Sequence, residues 1–346
     1  MTRTVAATLG ELQQRAGTLA PALDSVYFGG GTPSALPAPL LRKLLEPVGQ
    51  RLATDGEFSV EANPASLTRD VAALLAECGV TRVTVGAQSF HAHELHALGR
   101  RHEPDDIARA IDAARDAGIA KVGLDLMYAL PAQTLAGWQE SIERALACEV
   151  DHISAYALSY EDGTPMGQAL ERGELTETDD ELQRAMYGTV CERLIAAGFE
   201  WYEVSNFARP GHRSRQNMVY WTGQPYLGLG PAACSYIDGE RRTNAPDINA
   251  YCDAIESGSP PPSESERIEG PMQLAEALML GLRLREGVSM AELQTRTGLN
   301  VEQTFPKTLA HHVATGQLLV DGDRLTIPAD HVFTMNNTLA DFIAEA

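Results

Sequence analysis

"SVYFGGGTPSALP", residues 25–37, joins a strand pattern to a glycine loop. Four residues of strand type run into Gly29, Gly30 and Gly31, and then into Thr32-Pro33. A strand that ends on glycines leaves backbone N–H and C=O groups uncovered by side chains. Such a loop serves as a tight turn, or it cradles a carboxylate, an amine or a phosphate. It is not a P-loop, because no Gly-Lys-Ser/Thr follows. The glycine spacing does not match the dinucleotide fingerprint either.

Outward from this loop, strand and helix patterns alternate. Short β-branched or aromatic runs occur at 25–28, 58–62 ("FSVEA"), 82–87 ("RVTVGA"), 121–128 ("KVGLDLMY") and 152–159 ("HISAYALS"). Helical patterns lie between them. "PAPLLRKLLEPVGQRL" carries leucines at helical spacing, and "SLTRDVAALLAECGV" opens on cap-forming residues and closes at Gly79. "PDDIARAIDAARDAGI" places Pro104 and two aspartates in a first turn, where they suit the helix dipole. "TLAGWQESIERALACEV" follows the fourth run. Strand–helix repetition of this kind predicts right-handed βαβ units and a parallel sheet, open or closed into a barrel.

Polar residues recur at one end of these units. Glu61 and Asn63-Pro64 end the second run, Gln88 and Ser89 the third, and Asp125 lies in the fourth. Strand C-termini are where parallel sheets build their sites. One polar strand end is an ordinary turn residue; the same feature in successive units points to a binding mouth. A carboxylate inside a parallel strand, as at Asp125, also requires a partner.

The chain has 346 residues, 27 basic against 47 acidic, for a net charge of −20. That balance disfavours non-specific nucleic-acid binding. No apolar run of about 18 residues predicts a membrane span, and the first residues do not read as a secretory signal. The five cysteines, Cys78, Cys148, Cys191, Cys234 and Cys252, contain no CxxC pair and no zinc or iron–sulfur spacing. A disulfide framework is not expected, and a cytoplasmic location is.

Five blocks, "VYFGGGTPSAL", "SVEANPASLT", "GVTRVTVGAQSFHAHELHALGRRH", "GLDLMYALPAQT" and "HISAYALSYEDGTP", occur in an order and spacing that resemble the radical SAM coproporphyrinogen III oxidase-like group. "YEVSNFARPGH", "NMVYW" and "YLGLGPAACS" extend the resemblance and place it in the HemW heme chaperone branch. The resemblance implies a partial parallel (β/α)6-type radical SAM barrel with a small C-terminal winged-helix-like α+β domain. It implies that Gly30, Gly31 and Thr32 hold the aminoacyl end of S-adenosylmethionine, with Glu61, Gln88, Arg100 and Asp125 binding the same ligand. The chemistry agrees. Backbone N–H groups and Arg100 suit the carboxylate, Glu61 suits a cationic or donor group, and Asp125 or Gln88 suits hydroxyls.

The same resemblance implies a 4Fe–4S cluster on a CxxxCxxC motif upstream of the glycine loop. The 24 residues before Ser25 hold no cysteine and read as the helix that would follow such a strand. The expectation is therefore a barrel without its first strand, with residues 25–28 at a bare edge. Two readings follow: the natural start lies further upstream, or the chain is a relative that has shed its cluster and its catalysis. If the start is upstream, an oxygen-independent coproporphyrinogen oxidase-type activity is the alternative to a chaperone. Two further departures concern heme. Gln216 stands in "QNMVYW" and Cys234 in "GLGPAACS" where the branch carries histidine. Cys234 is a candidate thiolate ligand, and His212 in "PGH" is the nearest remaining histidine candidate. Heme and a heme-accepting protein are the expected partners.

The expected organisation is a barrel core over 1–160, a family-specific extension over 161–256, a Pro/Ser/Glu-rich linker over 257–271 and the small domain over 272–346. In that domain, helices flank a turn at Gly287, and "GQLLVDGDRLTIP" predicts a hairpin. It carries no basic stripe for nucleic acid.

Overall fold

The computed structural model describes residues 1–346. The chain divides into two compact units, one formed by residues 24–201 and 205–214, the other by residues 1–23, 202–204 and 215–346.

The first unit is built on a seven-stranded sheet. Its strands are β1 (Leu23–Phe28), β2 (Leu52–Ala62), β3 (Arg82–Gln88), β4 (Lys121–Tyr128), β5 (His152–Ala157), β6 (Glu200–Trp201) and β7 (Asn206–Ala208). The order is β1-β2-β3-β4-β5-β7-β6, so β1 is an edge strand. The pairs β2–β3, β3–β4 and β4–β5 are parallel, and β7 and β6 close the sheet antiparallel. Helices Ala38–Gly49, Arg69–Glu77, Pro104–Asp116 and Leu135–Ala147 follow the first four strands. Their starts are specified locally. Thr68 accepts from the Val71 N–H, Thr134 accepts from the Gly137 N–H, and Glu103 with Asp106 forms a capping box.

The strands bury near-continuous apolar runs, as strands covered on both faces must. Phe58, Val83, Val85, Leu124, Leu126 and Ile153 are fully or almost fully buried. Trp138 fills the space between helix and sheet and donates Nε1–H to the Met186 carbonyl at 2.9 Å. Toward the N-terminal ends of β2–β4 a buried charge cluster takes over. Arg82 Nη2 lies 2.9 Å from Glu57 Oε2, and Lys121 Nζ lies 2.9 Å from the same oxygen.

In the second unit the helix Thr2–Arg15 packs on the helix Ile248–Glu256 through Ala7, Tyr251, Cys252 and Ile255. Glu11 is buried with them, and its carboxylate accepts from the Gly230 N–H, the Asn244 amide and the Tyr251 hydroxyl at 2.7–2.9 Å. A three-stranded antiparallel sheet follows: β8 (Cys234–Ile237), β9 (Glu240–Asn244) and β10 (Ser263–Arg267). Part of the stretch read as a linker is therefore a strand, because its alternating Ser/Glu backbone completes the edge of β9. The expected hairpin is present as β12 (Leu319–Asp321) and β13 (Arg324–Thr326). They turn through Gly322, whose φ is +59°, and pair with β11 (Val288–Ser289). Helices Gly270–Gly281, Met290–Thr297, Pro306–Ala314 and Met335–Glu345 complete this part.

Candidate functional site

The glycine loop, Glu61 and Gln88 lie at the C-terminal ends of β1, β2 and β3, Asp125 lies inside β4, and Arg100 follows the helix Ala92–Ala97. The glycine loop turns with Gly30 at φ +77° and Gly31 at φ +64°, a backbone that other residues adopt only with strain. Gly29 is required for a different reason. A Cβ there would lie 2.5 Å from Tyr27 Cε1 and 3.0 Å from Glu61 Oε1. The absent side chain leaves room for Glu61 to reach the loop. Glu61 Oε2 accepts from the Gly30 N–H at 3.3 Å, and its Oε1 accepts from the Tyr27 hydroxyl. Thr32 adopts extended backbone and opens the 3-10 turn Pro33–Ala35. Ser34 in that turn accepts from the Asn63 N–H at 3.1 Å and bonds Ser66 at 2.7 Å. The loops after β1 and β2 are thereby tied together.

Gln88 owes its position to a bulge. Val85 pairs with Leu124, yet Gln88 pairs with Leu126, so two residues of β3 face one of β4. Gln88 has φ +63°, and its Nε2 would lie 2.9 Å from a Cβ at Gly86. Gly86 thus leaves space for the amide to fold back. Behind it, Ser89 and Gln133 both donate to the buried Glu94 carboxylate, Gln133 at 3.1 Å, and Gln133 Oε1 accepts from the Leu130 N–H at 3.3 Å. His102 Nε2 bonds the Ala87 carbonyl at 3.1 Å.

Asp125 sits opposite Ser154 in the β4–β5 register and accepts its hydroxyl. Burial pushes the Asp125 carboxyl up to about 7. The Ser154 hydrogen bond and the Arg100 charge pull it back, and the Glu61 charge pushes it further up. Burial also lowers the proton affinity of Arg100, against the attraction of Asp125. The mouth thus combines the backbone of the glycine loop, two carboxylates, a desolvated guanidinium and an amide. Tyr27 and Ser154 belong to it although sequence reading passed over them. Their places depend on which residues face one another across strands.

The two heme-ligand candidates fall in separate units. His212 lies in the first, with Nδ1 3.4 Å from Asp151 Oδ1 and its carbonyl accepting from Arg82. Cys234 opens β8 in the second and lines a cavity there. Gln216 is buried. The five cysteines are all free thiols. No three of the chain's His, Cys, Asp and Glu side chains form a metal-binding group. The residues present therefore do not fit a 4Fe–4S cluster.

The sheet and its mouth define the class. Residues 3–145 match the model of the radical SAM superfamily, and residues 270–329 match that of the HemN C-terminal domain. The coproporphyrinogen III oxidase (HemN) structure from Escherichia coli superposes with a TM-score of 0.83 at 19% identity, over 98% of this chain and 82% of that one. The chain is 38% identical to the heme chaperone HemW of Mycobacterium tuberculosis over 328 residues, 94% of this chain and 82% of the relative. It is 34% identical to the Bacillus subtilis heme chaperone HemW over 292 residues, 84% and 77% of the two chains. The protein belongs to the HemW family of the radical SAM superfamily. No helix is long and apolar enough to cross a membrane.

Proposed function

We propose that this protein binds S-adenosylmethionine at the sheet mouth, binds heme, and hands heme to an acceptor protein in the cytoplasm. The observation that carries the reading is the 38% identity to a heme chaperone along 94% of this chain. The mouth chemistry supports the first ligand. Each oxygen of Glu61 accepts one protein hydrogen bond and keeps a lone pair for the ligand ammonium. The loop N–H groups and Arg100 meet its carboxylate, while Asp125 and Gln88 hold the ribose hydroxyls. When bound, S-adenosylmethionine supplies a sulfonium centre. The side chains position the ligand, and Tyr27 holds Glu61 against the loop. The cysteines do not gather, and the side chains present offer no iron–sulfur cluster site.

The test has two arms. Calorimetry with S-adenosylmethionine is expected to give one site per chain, weakened at least about tenfold by Glu61→Gln. Hemin-loaded protein mixed with apomyoglobin is expected to lose its heme to the acceptor, read from the Soret band. No hemin uptake by the wild-type chain overturns the chaperone reading.

A further inference from the structure

β3 ends in a turn that ordinary residues adopt only under constraint. The Ser89 N–H donates to the Ala87 carbonyl at 2.8 Å, across the single residue Gln88, whose φ is +63°. A three-residue turn of that hand is the rare and strained form of the γ-turn. It persists only where its surroundings over-determine it.

Both neighbours of Gln88 are anchored from one segment of chain. On the Ser89 side, the hydroxyl donates to the buried Glu94 carboxylate and accepts from the His91 N–H at 2.9 Å. On the Ala87 side, the carbonyl accepts a second bond, from His102 Nε2, at 3.1 Å. Glu94 lies on the helix Ala92–Ala97, and His102 follows that helix, just beyond Arg100. The Arg100 N–H closes the helix end on the Leu95 carbonyl at 2.9 Å. The imidazole therefore ties the stretch carrying one proposed ligand residue, Arg100, to the strand end carrying another, Gln88.

His102 is a costly residue for packing alone. It is only 2% exposed. A carbonyl can only accept, so Nε2 carries the hydrogen and Nδ1 is a bare lone pair. That lone pair is buried with no donor in the protein. Burial first, and then the Arg100 charge, hold the imidazole below the usual histidine range, against the Ala87 bond and the charges of Asp106 and Glu103. The ring is thus neutral near pH 7. A leucine would fill the space without stranding an acceptor. What a leucine cannot do is hold the Ala87 carbonyl.

We propose that His102 is a positioning residue for S-adenosylmethionine: its Nε2–H fixes the Ala87 carbonyl and so keeps Gln88 in the strained turn that presents its amide to the ligand. The proposal rests on the S-adenosylmethionine reading above and adds a residue that acts through another.

The experiment reads the ring first and the affinity second. In the full chain labelled with nitrogen-15, imidazole spectra near neutral pH are expected to show His102 protonated at Nε2 alone, its signal assigned by its loss in His102→Gln. A ring protonated at Nδ1 instead overturns the proposal, and this arm stands should His102→Leu not fold. Calorimetry with S-adenosylmethionine then compares His102→Leu with His102→Gln, whose amide nitrogen restores a donor. The leucine variant is expected to bind at least about tenfold more weakly, and the glutamine variant within about twofold of wild type. In a Gln88→Ala background, His102→Leu is expected to change affinity by no more than about twofold, because the residue it acts through is gone. An equal loss in both backgrounds overturns the role. Wild-type binding that His102→Leu leaves intact overturns the proposal alone. No binding by wild type overturns the proposal together with the ligand reading.

Discussion

Arg82 and Glu57 form an ion pair sealed inside the sheet: Nη2 to Oε2 is 2.9 Å, and each side chain is 2% exposed. Lys121 joins the same oxygen, and Arg82 also donates to the carbonyls of His212 and Arg213. Removing one member leaves the other charge buried and short of partners, which costs about 3–5 kcal/mol. Arg82→Ala is therefore expected to lower unfolding stability by roughly that amount in a urea titration. Arg82→Met with Glu57→Leu, which removes both buried charges of the pair, is expected to cost much less. A single-variant loss under about 1 kcal/mol would show the cluster to be solvated in solution.

The Tyr27–Glu61 hydrogen bond joins the strand that leads into the glycine loop to the strand beside it. Tyr27→Phe keeps the ring and removes only the donor. S-adenosylmethionine affinity is expected to fall several-fold, with thermal stability nearly unchanged, because the position is 40% exposed. Calorimetry beside a melting curve checks both. Equal affinity in the two proteins would mean that the Gly30 N–H alone suffices to place Glu61.

Much of this architecture is legible in the residues themselves. The run 121–128 is β4 residue for residue, and the Pro104 and Thr134 starts fall where capping chemistry puts them. Local rules suffice there because the strands are apolar throughout and the helices carry their own caps. β6 and β7 are two and three residues long, too short to show a period, and β10 is exposed along its whole length. The site divides in the same way. The glycines, Glu61 and Gln88 stand at strand ends, and Asp125 stands out as a carboxylate inside an apolar strand. Ser154 matters only because β5 pairs with β4 in one register, and Tyr27 only because Gly29 lacks a side chain. The cavity beside Cys234 draws on residues from Tyr220 to Arg296, a juxtaposition with no signature in any one stretch.

Asp125 and His152 give opposite pH signatures. The folded Asp125 carboxyl is pushed up to about 7, by burial first. The folded state therefore holds a proton that the unfolded chain has released. This contribution is complete below pH about 4 and is lost as pH rises through 7. His152 is pushed down to about 3, by burial and then by the Arg82 charge. Its contribution is complete above about 6.5 and is lost as pH falls toward 3. Melting temperatures measured from pH 4 to 8 separate them. The difference between Asp125→Asn and wild type is expected to shift in favour of the variant as pH rises. The difference between His152→Gln and wild type is expected to shift in favour of the variant as pH falls. Parallel curves for wild type and Asp125→Asn would show that the carboxyl titrates normally.

The three loop glycines are expected to fail in different ways. At Gly30 and Gly31 a Cβ meets open space, and the cost of alanine is the left-handed backbone, about 1 kcal/mol each. At Gly29 the backbone tolerates alanine, but the new methyl would meet Tyr27 Cε1 at 2.5 Å and Glu61 Oε1 at 3.0 Å. Either the tyrosine or the carboxylate has to move, and both belong to the proposed ligand site. Gly29→Ala is therefore expected to reduce S-adenosylmethionine affinity more than Gly30→Ala does, while Gly30→Ala lowers the melting temperature at least as much. The reverse order in affinity would mean that the loop serves the ligand through its backbone shape alone, and that Glu61 contributes little to binding.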